Sequence, residues 1–255
     1  MHPQQTDDYT LTIVPDAASM GRTAAAIIAE RVAVKPALVL AVPTGSTPLG
    51  MFEELVSLVD SGELDLSNVR LFCLDEYVGV SPDDPNSLTG WLKRSFVDPA
   101  GIPWERVQAV AATDPDPDAA AAAYDAMIAS AGGFDLAVLG LGPNGHIAYN
   151  EPGSPAASRT RVLDLTPESI SQASAYWTRG VATPARAITV GVGTLLESDH
   201  LLLIVSGPAK AEMLRHALEE PMGPEVPASW LRLAGGRLHV IADEADASAL
   251  AGDRG

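Results

Sequence analysis

The chain has 255 residues, with 33 acidic against 16 basic side chains and a formal charge of −17. That balance leaves no electrostatic footprint for nucleic acid or an anionic membrane, and no apolar run reaches the roughly 18 residues of a spanning helix. A 47% hydrophobic content over this length supports one full core, and the chain reads as a single domain over 1–255.

In chain order, Thr10–Val14 reads as a strand and Ala17–Arg31 as a helix with apolar residues at 3- and 4-residue spacing. Ala37–Val42 is a continuous apolar run, as expected of a strand buried on both faces. Pro48–Val59 reads as a helix, Val69–Leu74 as a strand and Ser87–Phe96 as a helix. Asp114–Pro117 is a short loop before a helix at Asp118–Ala131, with Asp118 as its expected N-cap. Strands follow at Leu136–Leu141, Ile188–Val192, Leu201–Val205 and Leu238–Ala242, with a helix at Ala209–Leu218. Pro152–Pro184 is the least regular stretch, and a flap is expected at about 153–184. Strands alternating with helices of this length predict an α/β sandwich around a mainly parallel sheet. The N-terminus lacks the basic flank and apolar core of a signal peptide, and a lone cysteine, Cys73, fits a reducing cytoplasm.

Ligands of such sheets bind at the C-terminal ends of the strands, and three strands here end unusually. Val42-Pro43-Thr44-Gly45-Ser46-Thr47-Pro48 runs into a helix start, where free amides and hydroxyls suit a small anion. Pro48 suits the first helical position, and the same residues also read as an ordinary Ser/Thr helix cap. At Leu74-Asp75-Glu76-Tyr77 two carboxylates follow an apolar run. Continued as a strand, they point to opposite sides, so Asp75 suits a general base acting alone; the alternative is a solvated acidic turn. The third segment is Gly140-Leu141-Gly142-Pro143-Asn144-Gly145-His146-Ile147-Ala148-Tyr149-Asn150-Glu151-Pro152. Here His146 suits proton transfer near neutrality, Glu151 suits its orientation, and Asn144 is expected to hold its ring. His2, His200, His216 and His239 lack such surroundings. No metal-ligand spacing appears. Pro143 and the following Asn-Gly-His spoil the Gly-x-Gly-x-x-Gly at 140–145 as a dinucleotide turn.

Together, Pro-Thr-Gly-Ser-Thr-Pro, Leu-Asp-Glu-Tyr-Val-Gly, Gly-Pro-Asn-Gly-His-Ile-Ala-Tyr-Asn-Glu-Pro and Ser-Arg-Thr-Arg resemble the motifs of glucosamine-6-phosphate deaminases. The runs Ile188–Leu196 and Ser206–Lys210 add to the match, which extends from about Val14 to Asp243. The resemblance implies a three-layer α/β sandwich with a mainly parallel, Rossmann-like sheet. It also implies a hydrolase or isomerase that turns glucosamine 6-phosphate and water into fructose 6-phosphate and ammonia, without a cofactor or metal. Asp75 matches the family's base, and His146 the ring-opening acid/base, supported by Glu151 and Asn144. Thr44, Gly45, Ser46, Thr47 and Lys210 would hold the phosphate end, with Glu76 and Gly142 also at the substrate. The expected partner is a phosphosugar, with neither nucleic acid nor membrane; homo-oligomerisation stays open.

The chain departs from the family pattern in three places. Ala175 stands where deaminases carry a phosphate-binding arginine, and Arg179 is the nearest substitute. Leu163 replaces the lysine of the allosterically activated members, and the chain ends at Gly255 without their extension, so activation by N-acetylglucosamine 6-phosphate is not expected. Leu233-Ala234-Gly235 replaces Leu-His-Pro. A deaminase of a related amino sugar and a 6-phosphogluconolactonase are the alternative enzymes, and a sugar-phosphate sensor is the alternative from another class.

Overall fold

The computed structural model describes residues 4–174, 177–178 and 181–250; Ala175 and Arg179 lie outside them. The elements in chain order are β1 (Gln4–Gln5), β2 (Thr10–Val14), α1 (Ala17–Val34), β3 (Val39–Val42), α2 (Leu49–Asp60), β4 (Arg70–Cys73), β5 (Asp75–Tyr77), α3 (Leu88–Leu92), β6 (Val107–Gln108), α4 (Pro117–Ser130) and β7 (Leu136–Gly140). They continue with β8 (Arg161–Asp164), α5 (Pro167–Ser174), β9 (Arg186–Thr189), α6 (Val192–Leu196), β10 (Leu201–Val205), α7 (Ala211–Glu219), β11 (Leu238–Asp243) and α8 (Glu244–Ala247).

Eight strands form one sheet in the order β1-β2-β11-β10-β7-β3-β4-β6, parallel throughout except for the short β1–β2 pair. Side chains of these strands alternate between two cores, as period 2 requires. Leu201, Leu203 and Val205 meet Tyr124 and Ile128 of α4 and Leu214 of α7 in one core. Leu202 and Ile204 lie in the other, with Met20 and Ile28 of α1 and Phe52 of α2. The expected three-layer α/β architecture is therefore present. Helices α1 and α2 cross closely because a Cβ on Gly21 would stand 2.7 Å from the carbonyl carbon of Gly50. No helix among the described residues is long and apolar enough to cross a membrane.

Several boundaries differ from the sequence expectations for physical reasons. The cap of α4 is Asp116, not Asp118: its Oδ1 accepts from Ala119 N at 3.0 Å, and Pro117 takes the first helical position. The run expected as a strand at Ile188–Val192 is β9 two residues earlier, and Val192 already opens α6. Helix α7 begins at Ala211, after a 3-10 turn over Pro208–Lys210. The stretch expected to be irregular contains β8 and α5. Strands β5, β9 and β8 form a second, antiparallel three-stranded sheet, which the short, half-exposed β8 edges.

Candidate active site

Four adjacent strands of the main sheet, β10-β7-β3-β4, end at the same side. Their C-terminal loops bring together the three unusual segments and Lys210.

Strand β4 is pinned at its end by Tyr124, whose hydroxyl donates to Cys73 O at 2.8 Å and Gln108 O at 3.0 Å. After Leu74 the chain leaves the main sheet, and Asp75 pairs with Thr189 in the second one. Asp75 is 8% exposed, and no hydrogen bond to its carboxylate is found among the described residues. Burial, then the neighbouring Glu76 charge, pushes its pKa up to about 7. Glu76 points the other way and is consumed by the protein itself. Its carboxylate accepts from Ser87 Oγ (2.5 Å), Thr89 N (2.9 Å), Tyr77 N (2.9 Å) and Leu88 N (3.1 Å). It thus satisfies the free amides at the start of α3, which is a structural place in contrast to the expected substrate contact. Tyr77 follows, with its hydroxyl 2.7 Å from that of Tyr149 and Trp177 edge-on at 5.0 Å.

The loop after β7 is held rigidly. Gly142 N donates to His146 O at 2.9 Å, and buried Asn150 donates to Ile147 O (3.0 Å) and Val190 O (2.8 Å). Arg161 in turn donates to Asn150 Oδ1 at 2.8 Å and Ser154 Oγ at 2.8 Å. Ala148 sits at φ +49°, a left-handed conformation that costs a non-glycine residue roughly 1–2 kcal/mol. Such strain persists where surrounding contacts over-determine the backbone. Only glycine at 142 leaves the imidazole where it is, since a Cβ there would lie 2.3–2.4 Å from ring atoms of His146. Its place is under the imidazole, where it limits the ring's position.

His146 Nδ1 lies 3.7 Å from Glu151 Oε2 and 3.4 Å from Ser169 Oγ. Asn144 does not hold the ring as expected. Its amide donates to Glu151 Oε2 at 2.8 Å, and its Oδ1 accepts from the His146 backbone at 3.2 Å, so it orients the carboxylate and the loop. Burial opposes the charge on Glu151, but hydrogen bonds from His146, Ser169 and Asn144 prevail and hold its pKa at about 2. Thr166 N donates to Glu151 Oε1 at 3.2 Å. Thr166 and Ser169 were missed from the sequence, although Thr166-Pro167 is a recognisable helix start.

At the candidate anion-binding segment, no side chain among the described residues caps α2: its N-cap is Pro48, whose ring carries no hydrogen-bonding group. The ordinary capping alternative for Thr44–Thr47 is thereby removed, and Pro48 stands one residue before its expected place. Half-buried Lys210 donates to Thr47 Oγ1 at 3.0 Å, which leaves two of its three ammonium protons. Burial lowers the Lys210 pKa against the pull of Asp246 and Asp243. This acidic pair was not singled out from the sequence. Among the described residues, no group of three or more His, Cys, Asp or Glu gathers to hold a metal ion.

The model of the family "Glucosamine-6-phosphate isomerases/6-phosphogluconolactonase" matches residues 16–240. A glucosamine-6-phosphate deaminase of Rhodopirellula baltica is 40% identical over 240 residues, covering 94% of this chain and 95% of its own. One of Streptomyces avermitilis is 39% identical over 241 residues, covering 94% and 92%. These relatives are deaminases, and they do not support the description hydrolase. Among solved structures, a monomeric glucosamine-6-phosphate deaminase superposes with a TM-score of 0.90 at 33% identity, covering 94% of this chain and 99% of that one. A 6-phosphogluconolactonase from Trypanosoma cruzi shares the fold, with a TM-score of 0.73 at 22% identity over 98% of this chain and 100% of its own. The chain belongs to the glucosamine-6-phosphate isomerase/6-phosphogluconolactonase family.

Proposed function

We propose that this protein converts glucosamine 6-phosphate and water to fructose 6-phosphate and ammonia, as a cytoplasmic enzyme of amino-sugar breakdown. The observation that carries the proposal is the separation of two proton-transfer groups. Asp75 is a buried carboxylate with no hydrogen bond among the described residues and a pKa of about 7, while His146 is backed by a carboxylate whose pKa is held down at about 2. A base poised near the working pH and a separately charge-stabilised imidazole suit two successive proton transfers.

In the proposed sequence, His146 takes the proton of the anomeric hydroxyl and returns one to the ring oxygen, opening the sugar to its aldehyde. The Glu151 carboxylate stabilises the imidazolium between these events. Asp75 then removes the proton on C2 while the C2 ammonium gives up one proton to the aldehyde oxygen, leaving an enolamine across C1 and C2, and Asp75 delivers its proton to C1. The amine-bearing C2 is now an iminium carbon; water adds there and ammonia leaves, giving the ketone. Water thus serves to release the amine and is not the basis of the reaction class.

The phosphate end is assigned to Thr44, Gly45, Ser46, Thr47, the first amides of α2 and Lys210. With a net charge of −17 the long-range field repels a phosphate ester, so local donors must supply the affinity. One chain supplies every residue named, so the proposed site needs no second copy. Leu163 packs in the apolar cluster with Tyr77 and Trp177, and activation by N-acetylglucosamine 6-phosphate is not proposed. Ammonia release from glucosamine 6-phosphate, galactosamine 6-phosphate and glucosamine tests the assignment. Release from the first alone is expected; release from none overturns it.

A further inference from the structure

The end of the main sheet opposite the candidate active site holds a second concentration of cationic chemistry. A cleft of ≈ 200 Å³ opens there where β2, β7, β10 and β11 begin, covered by the last turns of α1. The parallel strands separate it from the catalytic loops by about five residues, roughly 17 Å of strand. Its basic side chains are Arg31, His200, Arg237 and His239, and among the described residues no carboxylate lines it. In a chain with 33 acids and 16 lysines and arginines, such a lining runs against composition.

The polar groups of the cleft are incompletely used. Arg31 Nε is buried without a hydrogen-bond partner among the described residues, which is costly unless something else accepts the proton. Arg237 uses one nitrogen on the carbonyls of Leu196 and Ser198 at the end of α6. His239 spends Nε2 on Thr12 Oγ1 at 2.8 Å, which leaves Nδ1. Leu136, Leu201 and Leu202 form an apolar floor. The nearest acids do not fill the role. Asp135 is committed to Lys35 Nζ and Val39 N, each at 2.7 Å. Glu30 and Asp199 are exposed and lie outside the lining.

We infer that this cleft is a binding site for a phosphate group, free or as a monoester, held by the Arg31 and Arg237 guanidiniums with His200 and His239 beside it. Planar guanidinium forks match tetrahedral oxyanions, and the volume admits a phosphate with a small substituent. Burial, with the nearby Arg31 charge, holds both imidazoles below their ordinary pKa. Asp199 and Asp135 pull His200 the other way without reversing this. An anion in the cleft would reverse the imbalance, so binding takes up protons and strengthens as pH falls.

The test follows the histidine C2–H resonances of the whole protein against pH, with inorganic phosphate, with fructose 6-phosphate, and with sodium chloride at matched ionic strength. Phosphate is expected to raise the midpoints of His200 and His239 by about one unit, chloride to leave them in place, and Arg31→Met to abolish the rise. A response to phosphate alone assigns free phosphate as the ligand; a response to the sugar phosphate as well assigns phosphomonoesters. The inference fails if neither phosphate species moves the two midpoints, if chloride moves them equally, or if folded Arg31→Met responds like the wild type. The wild-type titration decides the matter even without the variant.

Discussion

Asp75→Asn is expected to trade catalysis for stability. In the folded protein Asp75 keeps its proton up to about pH 7, against 3.8 when unperturbed. The folded state therefore binds more protons between those values, and the carboxylate destabilises it increasingly as pH rises from 3.8 through 7. The full displacement is worth about 4 kcal/mol above pH 7 and between one and two at pH 5. Asparagine has nearly the same shape and carries no charge, and the wild-type carboxylate has no hydrogen bond to lose among the described residues. The variant should therefore melt several degrees higher than wild type at pH 8, since each kcal/mol is worth roughly 2–4 °C in a chain of this size. At pH 5 the gain should be much smaller. Ammonia release should drop by roughly 10²–10⁴-fold for loss of a general base, while the wild-type rate climbs through pH 7 as Asp75 ionises. Thermal unfolding at the two pH values and a rate profile check both halves. A variant no more stable at pH 8 than at pH 5, relative to wild type, would refute the buried-charge argument; undiminished turnover would remove Asp75 as the base.

Gly142→Ala should fold with nearly unchanged unfolding temperature yet lose most activity, because the added methyl overlaps the His146 ring and displaces it; steady-state rates beside a melting curve separate the two. Lys210→Met should raise KM for the phosphosugar about 10- to 100-fold with a smaller change in kcat, given roughly 1.5–3 kcal/mol for a charged hydrogen bond. Glu76→Ala should behave oppositely, leaving three donors at the start of α3, and Tyr77 N in β5, without their acceptor. Its signature is a loss of about 3–5 kcal/mol in denaturant unfolding, with KM unchanged in whatever fraction remains folded.

The parts of the fold that could be read from sequence are those where one physical demand dominates. Leu201–Val205 is a strand to the residue because both faces are covered, so its apolar run has sharp ends, and the β-branched Thr10–Val14 is one to the residue as well. Strands β5 and β8 escaped because each has only three or four residues and antiparallel pairing that depends on long-range partners, while β9 showed in its apolar run only with its start displaced by two residues. The same distinction holds in the site. Strand alternation foretold that Asp75 and Glu76 face apart, but that Glu76 serves a helix depends on Ser87–Thr89, more than ten residues on. Asn144 was assigned to the wrong partner for a similar reason. The spacing to His146 is two residues, yet the folded loop turns its amide onto Glu151, seven residues away. Ser169 reaches the imidazole from an element that a propensity argument had no cause to place there.

The small antiparallel sheet has a consequence for how such an enzyme can change. Asp75, Thr189 and Arg161 form one row across β5, β9 and β8. Thr189 Oγ1 takes the Tyr149 backbone proton at 3.0 Å, and Arg161 grips Asn150. The proposed base and the loop of His146 are therefore bolted to one jig, which the stretch around Trp177 and Thr178 touches through Tyr77 and Asn86. Substitutions in that outer stretch that leave Thr189 and Arg161 in place should leave the spacing between the two proposed proton carriers fixed. Changes meant to re-aim specificity accordingly belong around Trp177 and Thr178, with strands β8, β5 and β9, and Thr166 and Ser169 beside Glu151 and His146, left untouched.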